Sequence, residues 1–74
     1  MSIPRIEYDR EADAAYISFV PEIGAGGVAR TVSVSPSDIG GMVNLDLDDS
    51  GRIIGLEVMD ASRKLPPDLL GLAP

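Results

Sequence analysis

Hydrophobic and polar residues alternate along most of this chain, and the alternation predicts strands. Residues 4–8, PRIEY, put Ile6 and Tyr8 on one face. Residues 14–20, AAYISFV, put Ala15, Ile17 and Phe19 on one face and Tyr16, Ser18 and Val20 on the other. Such β-branched and aromatic side chains suit a pleated, half-buried surface. The polar connector DREAD, residues 9–13, makes the pair a hairpin. A helix over 10–19 is the alternative, since READAAY holds good helix formers, but ISFV does not continue it. Pro21 stops the second strand, because proline has no N–H to give to a ladder. Residues 28–35, VARTVSVS, alternate again and predict a third strand with one wetter face.

SPSD, residues 35–38, has the composition of a helix start, with Ser35 as cap and Pro36 in the first turn, and Gly40 and Gly41 end it. A second hairpin follows. MVNLDLD, 42–48, turns Val43, Leu45 and Leu47 inward, and RIIGLEVMDA, 52–61, does the same with Ile54, Leu56 and Val58. Between them DDSG is a turn, with Gly51 free to take a positive φ. Two registers keep the inner triplets facing, and the pattern does not choose between them. Met42, Ile53 and Met59 fall on the outer face, so both faces of this hairpin need a cover. The C-terminal residues supply one: ASRKL makes a helical turn capped by Asp60 or Ser62, Pro66 and Pro67 break it, and Leu69, Leu70 and Leu72 dock. A second copy of the chain is the expected cover for the other face. The expected fold is mainly β, bordering on α+β. It is one small domain over residues 1–74, with a single antiparallel sheet of about five strands built from two hairpins and a short C-terminal helical turn.

Composition narrows the chemistry. The 74 residues contain neither cysteine nor histidine. Disulfides are therefore excluded, most zinc, copper and haem ligation is removed, and so is catalysis that needs a histidine base. A chain of this length buries only about 60% of its unfolded surface, so self-association is a natural aid to stability. Six Lys and Arg stand against twelve Asp and Glu, a formal charge of −6. That balance disfavours nucleic acid and anionic membrane, and makes a small basic protein the electrostatic complement. No apolar run approaches the roughly 20 residues of a membrane span, and MSIPRIEYDREADA lacks the apolar stretch of a secretory signal, so the expected location is cytoplasmic. No cofactor is expected.

Three stretches invite a chemical reading. DLDDSGRIIGLE, 46–57, matches the calcium-loop template with Asp46, Asp48, Ser50, Gly51 and Glu57. Its flanks are strands rather than helices. Glu57, six residues past Gly51, lies about 20 Å along a strand from the turn, out of reach of an ion there. Asp46, Asp48 and Ser50 are thus weak metal candidates beside a plain β-turn, in which Asp48 accepts from turn N–H groups. EYDREAD holds Glu7, Asp9, Glu11 and Asp13, and paired carboxylates serve acid–base chemistry. That chemistry needs a cleft this chain can hardly build, and the plainer reading is a solvated connector with Asp9 capping its turn. EIGAGG, 22–27, is a flexible loop, since no GK[ST] and no helix follow. The leading expectation is a non-enzymatic, self-associating interaction module. Met42, Ile53 and Met59 are its interface candidates, and Asp9, Glu11, Asp13, Asp46 and Asp48 its charged rim. Calcium at 46–51 is the alternative, and a small hydrolytic enzyme the third.

The stretches YDREADAAYI, 8–17, and LDLDDSGRIIGLEVMDAS, 45–62, taken together, resemble a small prokaryotic family, domain of unknown function 2283. Its pattern runs Tyr-Asp-x-Glu-Ala-Asp-x-x-Tyr-Ile, then a Thr-containing strand, here ARTVSV, then a D-x-D-x-x-G-x-x-x-G-x-E hairpin. The resemblance spans about Ile6 to Leu65. Ala15 departs from it where a Leu is usual, which thins the packing there, and the loop at 24–27 is longer than usual. It implies a compact β-rich domain of the bacterial cytosol with no assigned catalytic residues. For members encoded beside small toxin-like proteins it implies an antitoxin-like role.

Overall fold

The computed structural model describes residues 3–74. Its strands are β1 (Arg5–Asp9), β2 (Ala14–Ser18), β3 (Arg30–Ser33), β4 (Val43–Leu47) and β5 (Ile53–Met59). Three single helical turns complete it: α1 (Pro36–Ile39), α2 (Ala61–Lys64) and α3 (Pro67–Leu70). The strands form one five-stranded sheet in the order β1-β2-β5-β4-β3, and every neighbouring pair is antiparallel. With its helical turns and loops the molecule is plate-shaped, with Cα extents of 33 × 31 × 18 Å. The mainly-β reading and both hairpins are therefore observed.

The register turns the alternation into rows, because directly paired residues share a face. One apolar row runs Ile6, Ile17, Leu56, Leu45, Val32 across all five strands. A second runs Tyr8, Ala15, Val58, Val43, and Val34 extends it by giving its N–H to Val43 O at 2.9 Å. The core cluster of Ala15, Val43, Val58 and Ala61 lies on this face, with Tyr8, Leu65 and Leu70 packed around it. Burying a Val as fully as Val58, 2% exposed, contributes about 1.5–3 kcal/mol. The C-terminal residues thus cover one of the two faces, the one that carries the core cluster. Their cover thins toward β3: Ile6 and Ile17 are buried, Leu56 and Leu45 half-buried, and Val32 is 39% exposed.

The second hairpin takes the register Val43–Val58, Leu45–Leu56, which brings the inner triplets face to face. A bulge follows, with Leu47 opposite Ile53, and absorbs the extra residue Ile54. Ile54 is thereby buried while Ile53 stays exposed.

Several local expectations need correction. β2 ends at Ser18 rather than residue 20, since the chain bends once Phe19 has donated its N–H to Ile54 O. β3 begins at Arg30 rather than 28, after a turn with Gly26 at φ 75°. Ser35 holds the cap position of α1, but its hydroxyl pairs with Ser37 Oγ rather than a backbone N–H. Asp60 holds the cap position of α2 at φ 54° without capping it, and the cap comes instead from Asp13, far away in the chain. Pro67 does more than break α2: it opens α3, where a missing N–H costs nothing. Among the described residues no helix is long and apolar enough to cross a membrane.

Candidate functional site

The face opposite the core cluster is polar, and the same register builds it. One row runs Glu7, Tyr16, Glu57, Asn44, Ser33 across all five strands, and the next runs Arg5, Ser18, Gly55, Asp46, Thr31. The side chains bond to one another across the strands. Ser33 Oγ donates to Asn44 Oδ1 at 2.8 Å, and Asn44 Nδ2 donates to Glu57 Oε1 at 2.9 Å. In the next row Thr31 Oγ1 donates to Asp46 Oδ1 at 2.7 Å. Tyr16 spans from β2 to β4, its hydroxyl donating to Asp46 Oδ2 at 2.7 Å. Its ring lies over β5, and Gly55 makes room for it: a Cβ at Gly55 would overlap the tyrosine oxygen. Burial first, then the bond to Asp46 and the charges of Asp46 and Glu57, push the Tyr16 hydroxyl up to about 12.

A second tyrosine–aspartate pair works at the edge of the core. Tyr8 Oη donates to Asp13 Oδ1 at 2.6 Å. Ser62 reaches the same carboxylate with its backbone N–H at 2.9 Å and its hydroxyl at 2.7 Å. Asp13 O also accepts the Ala61 N–H at 2.9 Å. One residue of the first hairpin's turn therefore caps α2 and fastens the C-terminal cover to the sheet. The bonds from Tyr8 and Ser62, helped by Arg63, hold the Asp13 carboxyl below its ordinary range. The Tyr8 hydroxyl moves up because it donates to Asp13, and the Arg10 guanidinium lies 5.6 Å from its ring centre.

Of the metal candidates, Asp46 is held on the sheet face by Tyr16 and Thr31, away from the turn. Asp48 Oδ1 accepts the N–H groups of Ser50 and Arg52, both at 2.9 Å, which is the plain turn reading. Gly51 takes φ 83°, and Glu57 lies beside Asn44. Among the described residues no group of three or more acidic side chains is placed to hold a metal ion. Asp9 Oδ1 accepts the N–H groups of Glu11 at 3.0 Å and Ala12 at 3.3 Å, capping its turn, and Glu11 is exposed. A shallow trough of about 380 Å³ runs beside Asp9, lined by Glu7, Tyr16 and Glu57, and Asp13 is not part of it.

Met42 and Met59 are neighbours, joined by Met59 N–H to Met42 O at 3.0 Å. Ile53 stands at the other end of β5, about 20 Å away along the strand, with Glu57 and Gly55 between. These three residues do not form one patch. The residues that organise the open face, Tyr16, Thr31, Asn44 and Gly55, were not among the sequence candidates. A glycine inside an otherwise regular strand was the available signal, since such a glycine marks close approach of another group.

No curated protein and no solved structure matches the chain. Residues 8–17 and 45–62 supply the turns, the Asp13 clasp and the cross-strand contacts, and they lie within the span a family model recognises. That model, described as protein of unknown function (DUF2283), matches residues 5–62, and the chain belongs to this family.

Proposed function

We propose that this domain is a non-enzymatic, cytoplasmic protein-interaction module. It associates with itself and offers its polar sheet face to a small basic protein, as an antitoxin-like partner does. One observation carries the reading: a polar sheet face on which the exposed Glu7 and Glu57 and the half-buried Asp46 are set in cross-strand rows with Tyr16 between them. Asp46, held by Tyr16 and Thr31, and Glu57, held by Asn44, lose little side-chain freedom when a Lys or Arg arrives, so attraction to a basic partner is little offset by ordering there. Supporting it, the acidic groups that catalysis would need are engaged in holding the chain. Asp9 caps its turn, Asp13 clasps Tyr8 and Ser62, and Asp46 accepts from Tyr16 and Thr31.

The test is affinity capture of the tagged chain, at native level, from its own source cells, in parallel with a Glu7→Lys/Glu57→Lys variant. The expected result is one small basic protein in near-equal amount with the wild type and its loss with the variant. Equal recovery by both would overturn the acidic-face reading, and recovery of the chain alone would overturn the basic partner.

A further inference from the structure

The two edges of the sheet are built differently. β1 follows Pro4, which has no N–H, and carries Arg5, Glu7 and Asp9 at alternate positions, with Arg5 Nη1 reaching Pro21 O. Charges and proline are the ordinary protection of an edge strand. β3 has neither proline nor carboxylate, and all four of its residues, Arg30 to Ser33, are exposed. Its backbone is also set for pairing. Val34 gives its N–H to Val43 O, so by antiparallel alternation Val32 faces β4 as well, and Thr31 and Ser33 turn their N–H and C=O groups outward.

We propose that two copies of this chain join through the outer edge of β3, antiparallel about a two-fold axis at Val32, so that two five-stranded sheets become one of ten strands. The proposal rests on the self-association reading above and names its surface. The sequence of β3 is self-complementary in this register. The outward-facing Thr31 pairs with the partner's Ser33, and Ser33 with the partner's Thr31, which gives two small hydroxyl pairs on the polar face. Val32 meets the partner's Val32 on the apolar face, where β-branched pairs are favourable. There the row Ile6–Ile17–Leu56–Leu45–Val32 runs out of cover, and the partner's row continues it. Charge agrees as well. Arg30 is the only charged residue of β3, and it stands beside the far end of the partner's β3, where α1 begins with Asp38 in its first turn. Two symmetric Arg30–Asp38 attractions thus form between chains that are otherwise acidic. Each copy contributes the same patch, as a closed two-fold interface requires.

The experiment is mass by light scattering over a dilution series, together with amide hydrogen exchange, for the wild type, Val32→Lys and Ser33→Pro. Val32→Lys sets two charges against each other at the axis. Ser33→Pro removes an N–H that points outward and leaves the β3–β4 ladder bonded. The wild type is expected at twice the 7.8 kDa chain mass, with Thr31 and Ser33 amides protected like that of Val32. Both variants are expected at the single-chain mass, with the Thr31 amide exchanging freely and the circular dichroism unchanged. A dimeric wild type whose mass survives both substitutions would overturn the β3 interface and leave self-association standing. A wild type that is monomeric throughout would overturn both, and a foreign strand would then be the candidate occupant of the edge.

Discussion

The two faces of this sheet are held by different physics, although each uses a tyrosine donating to an aspartate. On the core face Tyr8 meets Asp13, five residues away, at 2.6 Å, and the same carboxylate takes Ser62 from the far end of the chain. That pair fastens a cover onto apolar rows. On the open face Tyr16 meets Asp46, thirty residues away, at 2.7 Å, and spans β5 to do so. That pair ties strand to strand and fastens no cover. A plate with one apolar cover thus uses a lattice of side-chain hydrogen bonds to hold its register on the wet side. Damage to the first face should loosen the C-terminal segment, and damage to the second should loosen strand register.

The largest effect is expected at Asp13. Asp13→Ala removes three hydrogen bonds to the carboxylate and puts an alanine at φ 51°. Loss of a cap, loss of the Tyr8 partner and left-handed strain add together, so this substitution should lower the urea midpoint more than any other single change here. Urea unfolding measures the loss, and amide exchange locates it: the amides of α2 and α3 should lose protection before those of β4. Asp13→Asn, which tolerates the left-handed region and keeps an acceptor, should recover part of it. If the β4 amides open first instead, Asp13 does not fasten the cover.

Gly55→Ala is the counterpart on the open face. The new methyl displaces the Tyr16 ring, whose oxygen occupies that space, and with it the bond to Asp46. The expected cost is about 2 kcal/mol. In a Tyr16→Ala background the space is free, so the same substitution should cost little, a coupling of more than about 1 kcal/mol in a double-mutant cycle. Additive costs would mean that the glycine serves the backbone rather than the ring.

The two faces also differ in how far the sequence announces them. The strands are legible because burial on one face imposes a period of two, which sets Ile6 with Tyr8 and Val43 with Leu45 on one face; the pairing of Val43 with Val58 is not, because a second register also keeps the triplets facing. Turn chemistry is legible because it is local: Asp9 and Asp48 cap as their neighbours predict. What was hidden is what spans distance. Ser62 lies 49 residues from Asp13, and nothing local to Asp60 says that the nearer aspartate will fail to cap. Asp46 looks like a turn ligand until the register sets it beside Gly55 under the reach of Tyr16. Ile53 was misgrouped with Met42 and Met59 because alternation alone carries neither strand length nor the bulge that follows Asp46.

A smaller effect separates the faces by acid. The Asp13 carboxyl is held below its ordinary 3.8, first by the bond from Tyr8 and then by those from Ser62. Such a group contributes stability above its ordinary value and loses it as pH falls through the lowered one. The melting temperature of the wild type should therefore fall more steeply below about pH 4 than that of Asp13→Asn, in which this position no longer titrates. Parallel profiles would remove Asp13 from the account of acid sensitivity.

The smallest effect is confined to alkali and belongs to the open face. Tyr16 is raised from 10.0 to about 12, by burial first and then by its bond to Asp46. The protonated phenol is the favoured form in the folded chain, so its contribution is complete below pH 10 and is lost as pH rises through about 12. At neutral pH nothing changes, and the observable is spectroscopic. Ultraviolet titration of Tyr8→Phe leaves Tyr16 as the only tyrosine, and its phenolate should appear near 12, while the fold is still intact by circular dichroism. Gly55→Ala on that background should bring the titration back toward 10, because the displaced ring is solvated and no longer donates to Asp46. A Tyr16 that titrates near 10 with Gly55 in place would mean that the ring does not lie over β5. The lattice that distinguishes the open face from the covered one would then lose its central member.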